Sequence, residues 1–73
     1  MPHVRIAESA SPPRFKIGAR VQFRLANEFV QGTITEYRGP LAAGRHVYRV
    51  EVPFHEGNYV MAYELPEEEL QRT

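Results

Sequence analysis

The chain has no cysteine and no aspartate, and its nine cations include a single lysine. Without cysteine, neither a disulfide framework nor a thiolate metal site can reinforce a small fold. Without aspartate, all nine anions are glutamates. No apolar run approaches the roughly 20 residues of a membrane span, and the first residues lack a signal-peptide core. The expectation is a soluble, cytoplasmic protein with no membrane partner. Absent cysteine is compatible with a reducing compartment.

Net charge is zero. That removes the usual electrostatic case for nucleic acid, which becomes the disfavoured partner. The types are skewed, because eight of the nine cations are arginine. Arginine suits bidentate and stacked contacts, so an anion-recognising face is open. The plainer use of these charges is a set of cross-strand ion pairs on a solvated sheet.

Seventy-three residues make one small domain. A chain of this size buries only about 60% of its unfolded surface. Tight packing or self-association must therefore supply the reinforcement, and an oligomer is one way to do so.

Residues 1–14 carry Pro2, Pro12 and Pro13 with few bulky apolar groups, and read as a flexible tail. Strand signals then run through residues 15–73. Phe15 is an apolar anchor and Gly18 a turn. Residues 19–25 place Val21, Phe23 and Leu25 on one face, with Arg20, Gln22 and Arg24 on the other, and Asn27-Glu28 is the break. Residues 29–37 put Val30, Gly32 and Ile34 together, and Gly32 is expected to mark a bulge or bend. Arg38 to Gly44 reads as a loop. Residues 46–52 alternate Tyr48, Val50 and Val52 against Val47, Arg49 and Glu51, and Pro53 should end that strand. Phe54 to Asn58 makes a turn, and residues 59–64 a fourth strand. Pro66 is expected at the first position of a short helical turn with Glu67, Glu68 and Glu69, and Leu70 should seal the core. Short strands at close spacing favour a barrel over a sandwich.

The residues that carry chemistry elsewhere are poorly arranged for it here. His46 and His55 lack ligands at metal spacing, so no metal site is expected. The serines lie in the tail, and the threonines have no paired base. No glycine-rich phosphate loop precedes a helix. Aromatics are the stronger feature. Tyr37, Tyr48, Tyr59, Tyr63, Phe29 and Phe54 exceed what a core this size encloses. Tyr59, Met61 and Tyr63 alternate, and they form an exposed stripe if Val60 and Ala62 point inward. The opposite register puts those three in the core.

The order of strand signals resembles SH3-like barrels, a pattern also seen in Tudor and KOW modules. Within that pattern the chain resembles the type B dihydrofolate reductases, the small plasmid-encoded enzymes of trimethoprim resistance. The resemblance rests on Phe15 with Gly18, Arg20-Val21, Gln31-Gly32, Ile34, Tyr48 with Val50-Glu51, His55 with Gly57, and Leu70 with Arg72. It covers nearly the whole barrel. It implies four barrels around one pore in which dihydrofolate meets NADPH. The family's pore segment, Val-Gln-Ile-Tyr, corresponds to Val60-Met61-Ala62-Tyr63, or to Ala62-Tyr63-Glu64-Leu65 when aligned back from Pro66. The glutamine is missing either way, and Phe23 stands where the family has a pore lysine. A thioether in place of an amide offers only a weak acceptor.

The expected fold is therefore all-β, a five-stranded SH3-like antiparallel barrel with a short 3-10 turn before the last strand. The expected function is a non-catalytic binding or assembly module without a cofactor. Its partner is a protein or a second copy, and its candidate surface is Tyr37, Arg38, Tyr59, Val60, Met61, Ala62 and Tyr63. The alternative is a homotetrameric reductase using NADPH and dihydrofolate.

Overall fold

The computed structural model describes residues 12–40, 44–54 and 57–73. The fold is all-β. Its strands are β1 (Arg20–Leu25), β2 (Glu28–Pro40), β3 (His46–Phe54), β4 (Tyr59–Pro66) and β5 (Gln71–Arg72), with a 3-10 turn at Glu67–Glu69 before the last. They form one antiparallel sheet in the order β4-β3-β2-β1-β5. No helix among the described residues is long and apolar enough to cross a membrane. Of the expected tail, residues 1–11 lie outside the described residues, as do 41–43 of the expected loop and His55-Glu56 of the expected turn.

Alternation along each strand builds the core. Phe15, Val21, Phe23, Ile34, Tyr48, Val50, Val52 and Leu70 are buried together. The rings of Phe23 and Tyr63 meet edge-on at 5.5 Å, although β2 and β3 lie between their strands in the sheet. A flat sheet would hold β1 and β4 about 14 Å apart at ~4.8 Å per strand. The sheet therefore curls around its own apolar face. Among the described residues no ladder joins β4 to β5, so these strands are the two edges.

Several boundaries differ from expectation, each for a local reason. Glu28 pairs with Leu25, so the β1–β2 turn is Ala26-Asn27, one residue earlier than the expected break. β2 continues past Tyr37 to Pro40, which pairs with His46. Its register slips between Ile34 and Glu36 and again between Tyr37 and Pro40. Gly39, at φ +79, sits in the second slip. Those two irregularities bend the strand. Gly32 carries no bulge, because it pairs regularly with Val21.

β3 also runs on, through Pro53 to Phe54. Its pairing with β2 stops at Glu51, whereas its pairing with β4 reaches Phe54. Pro53 thus sits where only one side of the strand is in a ladder, which a residue lacking an N–H tolerates. Pro66 is extended and precedes the 3-10 turn instead of opening it. Leu70 follows, buried at 2% exposure.

Candidate functional site

Four residues in a row on β4, Tyr59, Val60, Met61 and Ala62, are exposed. The register explains which of the two expected faces is real. Tyr59 lies opposite Phe54, Met61 opposite Val52 and Tyr63 opposite Val50. Val50 and Val52 belong to the core. Residues directly opposite in an antiparallel pair share a face, so Tyr59, Met61 and Tyr63 lie on the core side of the sheet. Only Tyr63 is covered there, half-buried against Phe23. Tyr59 and Met61 remain 52% and 41% exposed on that side, and Val60 is 55% exposed on the other.

The cause is the length of the β3–β4 hairpin. Beyond Glu51, β3 loses its pairing with β2, and Val52 to Phe54 pair with Tyr59 to Met61 alone. The hairpin end is a two-stranded arm. Its tip is organised by Tyr59 stacked on Phe54, with centroids 5.6 Å apart and planes within 8°. Asn58, at φ +55, completes the turn. Pro53, Phe54, Asn58, Tyr59 and Val60 line a shallow cleft beside it.

The structure does not bring Tyr37 and Arg38 to this surface. Tyr37 pairs with Tyr48, and Tyr48 with Leu65, six residues along β4 from Tyr59. That is about 20 Å at ~3.3 Å per residue. Tyr37 is half-buried, its ring 5.4 Å from that of Tyr48 and its hydroxyl 2.5 Å from Nδ1 of His46. Arg38 is engaged with carboxylates, 2.8 Å from Glu64 and 3.4 Å from Glu36. These two residues lie toward the other end of the β3–β4 ladder.

A polar cluster at that end escaped the sequence reading. Tyr48 is fully buried, and its hydroxyl donates to Glu67 Oε2 at 2.6 Å. The same carboxylate oxygen accepts the Arg14 N–H at 2.7 Å, and the Phe15 N–H reaches the Tyr48 oxygen at 3.4 Å. Burial, then the bond to Glu67, pushes the Tyr48 phenol from 10.0 up to about 12. For Glu67, partial burial acts to raise the pKa. The Tyr48 and Arg14 hydrogen bonds and the nearby positive charge of Arg14 outweigh it, and the carboxyl lies below its ordinary value. The cluster ties the chain entering at Arg14 to the turn before β5. Read along the chain, Glu67 is one of three consecutive turn carboxylates, and nothing local singles it out.

Among the described residues no group of three His, Cys, Asp or Glu side chains is placed to hold a metal ion. Phe23, at the position where the reductase resemblance has a lysine, is 2% exposed and part of the core. Met61 and Ala62, where that resemblance has glutamine and isoleucine, lie exposed on the β4 arm. Compared with protein-family models, with curated proteins and with solved structures, the chain matches none of them.

Proposed function

We propose that this protein is a non-catalytic, SH3-like binding or assembly module that works through the edge of β4 and the β3–β4 arm. One observation carries the reading. The β3–β4 ladder continues past Glu51, where β3 loses its pairing with β2, and leaves Tyr59, Val60 and Met61 exposed on an edge strand. An isolated two-stranded ribbon is marginal in water, and an open edge is a template for another strand. A protein partner supplies both the missing strand and the missing apolar cover. A second copy of the chain does so without any further component.

Light scattering after size exclusion tests this directly. The wild type should run as an oligomer, and V60K/M61K should be a monomer with an unchanged circular dichroism spectrum. The double variant should weaken association at least tenfold, about 1.4 kcal/mol. A wild type that stays monomeric at about 100 μM would remove self-association.

The ring-shaped reductase is the second reading, favoured by the exposure of Val60, Met61 and Ala62 on one edge strand. It predicts a tetramer that oxidises NADPH only when dihydrofolate is added. Met61 lacks the amide that would orient either ligand, and Phe23 is committed to the core. An oligomer inert toward both ligands supports the module.

A further inference from the structure

The zero net charge conceals a separation of charge. Among the described residues, Arg38, Arg45 and Arg49 hold the salt bridges, with Glu36, Glu64, Glu68 and Glu51. All three lie on β2 and β3 or between them. Arg14, Lys16, Arg20, Arg24 and Arg72 form none with the described residues, and they cluster on and around β1 and β5. Glu28 and Glu69 are the described glutamates left without a bridge or a side-chain hydrogen bond, against four such cations, Arg14, Lys16, Arg20 and Arg24.

Four of those cations share one cleft. Arg14, Lys16, Arg20 and Arg72 line it with Phe15, Ala19 and Thr73, around a space of about 490 Å³. Among the described residues no acidic side chain lines it. The Arg14 and Arg72 guanidiniums are each held over the ring of Phe15, at 5.2 and 5.7 Å. Arg72 also donates to the Arg14 carbonyl oxygen at 3.3 Å. Glu67 partly offsets the charge of Arg14, while its Oε2 accepts the Arg14 N–H and the Tyr48 hydroxyl. Like charges gathered in this way repel until an anion joins them.

Arg20 also belongs to the outer face of β1, and there the cleft opens onto a surface. Arg20 lies opposite Thr33, Gln22 opposite Gln31, and Arg24 opposite Phe29. On the far side Gln22 bonds the Gln71 side chain at 3.3 Å. Arg20 and Arg24 are about 13 Å apart along the strand at ~3.3 Å per residue. Phe29, at the end of this face, is 60% exposed beneath the Arg24 guanidinium at 5.9 Å. The neighbouring acid, Glu51 across Thr33, is bound by Arg49. The face therefore offers cations at intervals, uncharged amides between them, and an aromatic ring at the end.

We infer that this strip binds a single-stranded nucleic acid. Its phosphates sit in the Arg14–Lys16–Arg20–Arg72 cleft and against Arg24, and a base packs on Phe29. Guanidiniums match phosphate oxygens bidentately, and aromatic stacking accepts any base. The strip is separate from the β4 arm, so the inference does not depend on the assembly reading.

Fluorescence anisotropy with a labelled oligothymidylate of about 12 nucleotides provides the test. The wild type should bind at about 20 mM salt and weaken with a log–log slope near −3, about −0.7 for each phosphate engaged. R20A and R24A should each make the slope shallower by about 0.7. F29A should weaken binding about 5- to 100-fold and leave the slope unchanged. R45A, at a bridged cation elsewhere, should bind like the wild type. These are exposed positions, and circular dichroism confirms each fold before it is read. Absence of binding at low salt, slopes insensitive to both R20A and R24A, or an equal loss in R45A would overturn the inference. So would tighter binding to duplex of the same length, or saturable binding of tripolyphosphate with none of the oligonucleotide.

Discussion

Gly32→Val should abolish cooperative unfolding, or lower the melting temperature by more than about 15 °C. A β-carbon at Gly32 would stand 2.7 Å from the Glu51 carbonyl oxygen, 2.7 Å from Val50 Cγ1 and 3.0 Å from Val52 Cγ2. The first of these is backbone in the middle of a paired strand, so it cannot step aside. Val50 and Val52 are core side chains with no room behind them. Overpacking of this kind costs about 1–3 kcal/mol for a small excess, and valine adds two methyl groups to it. A domain of this size has only about 4–10 kcal/mol in total. Gly18→Ala supplies the contrast. Gly18 is at φ +94 with open space where a β-carbon would go, so its cost is conformational alone, about 1–2 kcal/mol. Thermal melts should order the variants as wild type, G18A, G32A, G32V. Adding V50A to G32A should recover part of the loss and no more, because the carbonyl contact remains. Equal melting of G32V and wild type would disprove the close approach of β2 to β3.

The second large effect belongs to Tyr48. Its pKa is raised from 10.0 to about 12 in the folded chain. The unfolded chain therefore loses this proton first. The contribution to stability is complete below pH 10 and drains away as pH rises through 12, a loss on the order of 2 kcal/mol. Glu67 acts at the other end of the scale. Its folded pKa is depressed, so its contribution is present above the ordinary carboxyl range and is lost as pH falls through the lower folded value. Tyr48→Phe should remove the alkaline step from the stability profile. At neutral pH it should cost about 1–3 kcal/mol, since Glu67 and the Phe15 N–H both lose a buried partner. Denaturant unfolding across the pH range measures both limbs. A Tyr48→Phe variant that keeps the alkaline limb would assign it to another group.

The arm on β4 shows where reading a chain in order stops being sufficient. Tyr59-Val60-Met61-Ala62-Tyr63 alternates in type, and either face could have been the inner one. The choice was made by Val50 and Val52, which lie across the ladder. Even the correct face would have misled, because Tyr59 and Met61 point coreward yet stay exposed. Tyr63 on the same face is covered by Phe23 of β1, whereas Tyr59 and Met61 lie beyond the end of the β2–β3 pairing at Glu51. Arg38 illustrates the same point in reverse: an exposed arginine is engaged in surface bridges with Glu36 and Glu64 by neighbours on two strands.

Local pattern alone determined that this chain is all-β, which residues of β1 and β3 face inward, and that Phe15 and Leu70 close the core. Those features depend on the two-residue repeat of a strand and on where glycine and proline interrupt it. Tertiary structure decided the rest: the bends of β2, the β3–β4 arm, the Tyr48–Glu67 tie and the gathering of Arg14, Lys16, Arg20 and Arg72. Each depends on register between strands far apart in the chain. A shift of one residue in that register exchanges the two faces of a strand, and no single strand carries the information that sets it.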